Sequence, residues 1–275
     1  MNQIIELFSF SFFQNAFIAA VFASISCGIV GSYIVSRRIV FISSGITHAS
    51  FGGIGLAFFI GFNPLLGAVL FAVLSAVGIQ FFTKNADIRE DSSIAIWWSL
   101  GMALGVIFIF LTPGYTPNLM SYLFGNIITV SVSELWLMFI LNIILVAFFS
   151  LFLSKILFIA FDEEFARAAG LKVDLFNYLT IILIALTVVL NIRVVGIILI
   201  LSLLTIPQAS ANLFTKDFKK LLILSIIFAF IGTISGLFTS YFLDIPSGAA
   251  IIFTLIIMFG ILRLYKFIKH TVYFP

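Results

Sequence analysis

His48 is the conspicuous ionisable side chain inside a long apolar run, Phe41-Ile42-Ser43-Ser44-Gly45-Ile46-Thr47-His48-Ala49-Ser50-Phe51-Gly52-Gly53-Ile54-Gly55. A neutral imidazole is the commonest metal ligand, and an ionisable group buried in a membrane-length helix marks a candidate functional position by default. On a helix Ser44, Thr47, His48 and Gly52 fall on one face through i, i+3 and i+4 spacings, a polar stripe suited to a pathway. Gly45, Ala49 and Gly53 form a neighbouring small-residue ridge that lets another helix approach closely. Two chemistries fit the histidine, transient coordination of a metal ion and a hydrogen bond between helices, and the spacing leaves both open.

A second set lies between Gly196 and Ala211. Pro207 lacks a backbone donor and frees the carbonyl of Leu203, while Thr205, Gln208 and Ser210 supply polar atoms at that break. Pro207 and Gln208 are candidates for a gate, and an ordinary packing kink fits them as well. The third set is the polar stretch from Ala160 to Leu171. Asp162 suits an N-cap, Glu163 and Glu164 suit a first turn, and Gly170 suits a C-terminal stop, so a short surface helix is expected. Either a docking role or a plain connector would account for it. Ser131 and Glu134 have the spacing of a capping box, which makes Glu134 a cap rather than a ligand.

Nothing in these sets assembles into a catalytic site. The sequence has no phosphate-binding loop, no Cys/His zinc cluster and no Ser/His/Asp combination that one membrane layer could bring together. Cys27 is the single cysteine, so no disulfide can form within the chain. No resident cofactor is expected.

The elements that must hold these residues follow from composition. Apolar residues make up 63% of the chain, charged residues 9%, and mean hydropathy is +1.28, more apolar surface than a water-soluble core can absorb. Runs of about 20 apolar residues match the ~30 Å of a bilayer crossed as a helix. Spans are expected near 12–36, 40–61, 64–83, 93–112, 133–155, 177–192, 194–213, 219–242 and 247–264, making an all-α polytopic membrane bundle of about eight or nine helices. The first run lacks the basic flank and cleavage site of a leader and is expected to be a span. Residues 113–132, with Pro113 and Pro117, are expected to form an extracellular interfacial or re-entrant piece. The chain 1–275 is expected to be one transmembrane domain.

Charge sets a direction. With the N-terminus outside, thirteen of the fourteen basic residues fall on cytoplasmic segments and only Arg193 on the other side. The C-terminus is then cytoplasmic. The net charge of +3 reflects topology and gives no reason to invoke nucleic acid.

Taken together these segments resemble the membrane permease subunits of the zinc and manganese family of ATP-binding-cassette importers. The resemblance is carried by Arg37-Arg38 leading to Ile46-Thr47-His48-Ala49, by Asp162 to Gly170, by Val195-Gly196 through Pro207-Gln208-Ala209, and by Asp244-Ile245-Pro246-Ser247-Gly248-Ala249. It runs along nearly the whole chain. It implies a type II importer-like bundle that works as a homodimer with two cytoplasmic ATPase subunits and an extracytoplasmic metal-binding protein. The transported species would be zinc, manganese or iron, with ATP hydrolysed by the partner. Residues 160–172 would be the coupling element, with Asp162, Glu163, Glu164, Ala166 and Gly170 at the ATPase interface. His48, Ser44 and Thr47 would line the metal pathway. Asp244 would attract a cation at its entrance, or cap a helix. Typical members carry an Asp four residues before the histidine, where this chain has Ser44. The competing class is a secondary transporter coupled to ions or protons, which the Pro207 break alone favours.

Overall fold

A bilayer offers backbone N–H and C=O groups no partner but each other, so the apolar runs fold as helices. The computed structural model describes residues 7–86, 88–113 and 127–273, and the regular elements among them are all helical. In chain order they are α1 (Ser11–Arg37), α2 (Val40–Ile60), α3 (Pro64–Asn85), α4 (Glu90–Leu111), α5 (Val132–Phe161), α6 (Glu163–Ala168), α7 (Val173–Val195), α8 (Ile197–Leu203), α9 (Ile206–Asn212), α10 (Phe218–Leu243) and α11 (Ser247–Tyr273), with a 3-10 turn at Ile127–Thr129. Eight of these helices are long and apolar enough to cross a membrane.

Local chemistry fixes where the helices begin and end. Asn63 accepts from the amides of Leu65 and Leu66 at 2.9 and 3.4 Å, with Pro64 occupying the first turn, where its missing N–H costs nothing. Asp162 caps α6 by accepting from Phe165 N at 2.9 Å, and Asp217 caps α10 from Lys220 N at 2.9 Å. The Ser131–Glu134 capping box forms as the spacing predicts. Ser131 N and Oγ both donate to Glu134 Oε2 at 2.8 Å, and Glu134 N reaches Ser131 Oγ at 3.4 Å. Most of the expected interfacial piece, residues 114–126, lies outside the described residues.

The expected ninth span over 194–213 is not one continuous helix. It is broken into α8 and α9, seven residues each. Gly196 stands at φ +83°, a conformation glycine adopts without strain, and Thr205 and Pro207 break the ladder again within three residues. Several helices instead outrun their expected spans, α5 and α11 furthest at one end. At about 1.5 Å per residue, the 30-residue α5 and the 27-residue α11 are longer than the ~30 Å hydrocarbon layer.

The helices pack as two compact units. The first comprises α1, the start of α5 through Asn142, and α8 to α11; the second comprises α2 to α4, α5 from Ile143, α6, and α7 through Ile192. In the first unit α1 runs antiparallel to α10. Gly28 lies against Ile226, and the rings of Phe13 and Phe17 meet those of Phe238 and Phe230 at 5.7 and 6.2 Å. Arg37 and Arg38 therefore share an end with Lys219 and Lys220. Lys266 donates to the Leu213 carbonyl, which brings the end of α11 there too, and the start of α1 lies at the opposite end of this unit.

In the second unit α2 is held between α3 and α4 by small residues. A Cβ on Gly101 of α4 would run into the Ala49 backbone, and one on Gly53 into Gly67 of α3. The ridge predicted from Gly45, Ala49 and Gly53 is therefore the packing face of α2. Close backbone approach through small residues is how membrane helices associate without a hydrophobic driving force.

Candidate functional site

His48 sits on the flank of that packed face. Its imidazole stacks on the indole of Trp98 in α4, with centroids 4.3 Å apart and planes 3° from parallel. His48 Nδ1 is buried and has no hydrogen-bond partner among the described residues. Stacking, and no hydrogen bond to that nitrogen, holds the ring.

The predicted polar stripe divides in two. Ser44 and His48 are half-buried, one turn apart, with their side chains partly accessible. Thr47 is buried, and its hydroxyl donates to the Ser43 carbonyl at 2.6 Å; Gly52 is packed against Gly101. Ser43 and Ser50 likewise donate within the helix, to Val40 O and Thr47 O, each at 2.7 Å. Back-bonding of this kind satisfies hydroxyls locally and makes them tolerable in an apolar setting. The accessible polar pair is thus His48 and Ser44, and Thr47 belongs to the packing.

Among the described residues no group of three or more His, Cys, Asp or Glu side chains could together hold a metal. One imidazole, one hydroxyl and backbone carbonyls can pass an ion along but do not form a closed cage. Asp244, in the first unit, is exposed and ends α10 in the left-handed conformation at φ 52°. Its amide bonds Ser240 O, and Ser240 Oγ donates to Ile245 O at 2.6 Å. It terminates the helix before it.

In the first unit Gln208 is fully buried at the broken segment. Its Nε2 donates to Leu203 O at 3.2 Å and to Cys27 O of α1 at 2.8 Å. The carbonyl that Pro207 sets free is therefore recaptured by the next side chain, which also ties the break to α1. Gly31 leaves room for this amide, since a Cβ there would strike it. Gln208 Oε1 is buried and unpartnered among the described residues.

The Asp162 to Gly170 segment forms the surface helix expected. Gly170 closes it at φ +82°, a left-handed turn that favours glycine. Ala166, expected at a partner interface, is corrected to an interior position. It is fully buried and packs with Ile159 and Val173, because the short helix needs one face against the membrane body. The exposed residues of α6 are Glu164, Phe165, Arg167 and Ala168, with Phe161 beside them.

Two residues at this end were not flagged by the sequence. Asp174 bonds Arg167 through both carboxylate oxygens, at 2.9 and 3.2 Å, and also meets Lys84 of α3 at 2.6 Å. Donating hydrogen bonds to the Asp174 carboxylate holds the Arg167 guanidinium above its ordinary range. An Asp in the first turn of a helix suggests a dipole partner, and pattern alone does not reveal cations arriving from elsewhere.

The model of the ABC 3 transport family matches residues 9–266. The chain is 34% identical over 259 residues to the manganese transport system membrane protein MntC of Listeria monocytogenes, covering 94% of this chain and 92% of that protein. It is also 34% identical over 253 residues to the manganese import system permease protein ScaB of Streptococcus gordonii, covering 92% and 91%. In structure it is similar to PsaBC from Streptococcus pneumoniae in complex with Fab, with a TM-score of 0.82, 32% identity, and coverage of 94% of this chain and 95% of that one.

Proposed function

The chain belongs to the ABC 3 transport family of membrane permeases for manganese and metal import, and from that premise we propose that it carries a divalent transition metal, zinc, manganese or iron, past His48. The observation that carries this reading is the half-buried His48, stacked on Trp98 with Nδ1 unpartnered among the described residues and Ser44 one turn away. A site of so few ligands suits transit, because an ion must leave it as readily as it enters. The metal is cargo, and the chain's own groups bind and release it.

The work is supplied by a cytoplasmic ATPase that docks on the outward face of α6, at Glu164, Phe165 and Phe161. Capping by Asp162 and the buried Ala166 support this, since they hold a short helix rigidly at the surface. An extracytoplasmic metal-binding protein delivers the ion at the opposite side, and two copies of the chain form the pathway. The N-terminus is outside and the basic ends of α10 and α11 are cytoplasmic. Family membership sets aside ion-coupled secondary transport. In proteoliposomes containing the chain and its ATPase, Mn²⁺ uptake should require ATP and vanish when the ATPase loses its phosphate-loop Lys. Uptake that persists without hydrolysis overturns the reading.

A further inference from the structure

We propose that Asp174 is a positioning residue that locks α6 to α3, so that movement imposed on α6 reaches the helices holding His48. The inference rests on the reading of α6 as the ATPase-facing element.

Asp174 stands in the first turn of α7 and serves two cations from two other elements. Lys84 Nζ, in the last turn of α3, lies 2.6 Å from Oδ2. Arg167 of α6 spans both oxygens, Nη2 to Oδ1 at 2.9 Å and Nη1 to Oδ2 at 3.2 Å, and its Nη2 also reaches Glu163 at 3.4 Å. A forked guanidinium pair fixes orientation as well as distance. An isolated ion pair at a surface restrains little. Here the restraint is geometric, because the opposite face of α6 is pinned by Ala166 against Ile159 and Val173. Gly170 turns the chain back so that Arg167 meets Asp174. The short helix cannot rotate about Ala166 without pulling on the carboxylate, and through it on Lys84.

Past Lys84, α3 and α4 are joined by close contacts that can carry that pull. The ring of Trp97 fills the space left by Gly78 of α3 and lies 6.0 Å from the ring of Phe82, while Ser93 Oγ donates to Ile79 O at 3.1 Å. The next residue, Trp98, faces α2 and covers His48. Consecutive tryptophans thus clamp α4 to α3 on one side and to the histidine on the other. Close-packed interiors transmit displacement and do not dissipate it.

The test uses the chain assembled with its ATPase. Asp174→Asn keeps the shape and removes the charge that two cations share. The complex should be recovered intact with ATPase activity within about twofold of wild type, while Mn²⁺ moved per ATP falls at least threefold. Amide exchange should quicken at least threefold in both α6 and the last turn of α3. Asp174→Glu should recover most of both. Lys84→Met should lower the Mn²⁺ to ATP ratio while quickening exchange in α3 alone. Unchanged transport per ATP in Asp174→Asn, or faster exchange confined to α6, overturns the proposal, as does loss of the complex. If wild type shows no ATP-driven uptake, the functional reading fails, and the exchange comparison still decides whether Asp174 joins the two helices.

Discussion

Whether His48 is a ligand or a packing residue turns on one nitrogen. A histidine that served only to join helices would spend Nδ1 on a carbonyl or hydroxyl, and leaving a buried polar atom unpaired costs about 1–3 kcal/mol. Here that atom is unpartnered among the described residues, and the indole of Trp98 positions the ring without consuming it. His48→Ala should lower Mn²⁺ flux at least tenfold while the complex with the ATPase is recovered in full, measured as uptake per mole of purified complex. Unaltered flux would make the residue structural. Trp98→Ala should give an intermediate loss, because the ring keeps its nitrogens and loses its orientation. Ser44→Asp adds a carboxylate one turn from His48, a harder oxygen ligand that favours manganese. The apparent KM for Mn²⁺ uptake should fall at least threefold; an unchanged KM would show that position 44 does not meet the ion. The histidine and its neighbour at i−4 were legible in the sequence. Trp98 was not, because periodicity describes one helix face and says nothing about the helix that will cover it.

At the level of elements, the sequence carried the packing ridge of α2 and the break at Pro207 because both are written in local chemistry, small residues at helical spacing and a missing donor. It did not reveal that Gln208 would close the break it adjoins. Gln208→Leu removes the bonds to Leu203 O and Cys27 O in a fully buried position and should destabilise the protein by about 1–3 kcal/mol. A lowered thermal midpoint in detergent checks this, and an unchanged midpoint would mean that the bonds contribute nothing. Gly101→Val forces a branched side chain into the Ala49 backbone, where overpacking costs about 1–3 kcal/mol or more. Gly260→Val on α11, where an added Cβ meets nothing within 4 Å, is the matched control. Monodisperse yield should collapse in the first and hold in the second. The placement of Ala166 was missed for a related reason. The sequence announces a surface helix, but which of its residues turns inward depends on Ile159 and Val173, contributed by the helices on either side.

Across the whole chain, the distribution of Lys and Arg calls for termini on opposite sides of the membrane, and the helix count has to be reconciled with it. Eight unbroken crossings alone would return the chain to the side on which it started. In the first unit, however, the start of α1 lies opposite the end of α11, since α1 is antiparallel to α10 and Lys266 reaches Leu213. If the two ends of the chain lie on opposite sides of the membrane, the broken segment α8–α9, two seven-residue helices flanked by Gly196 and interrupted at Thr205–Pro207, should supply the remaining traverse. This makes a testable claim about sidedness. In a Cys27→Ser background, Phe10→Cys and Asp244→Cys should react with a membrane-impermeant maleimide on intact cells. Lys219→Cys and Lys269→Cys should react only after the membrane is opened. Cys27 itself is buried, so the native chain gives a silent baseline. If Phe10→Cys and Lys269→Cys were labelled from the same side, α8–α9 would not cross. If all four were labelled in the reverse order, the basic ends would face outward, against the bias of Lys and Arg toward the cytoplasm.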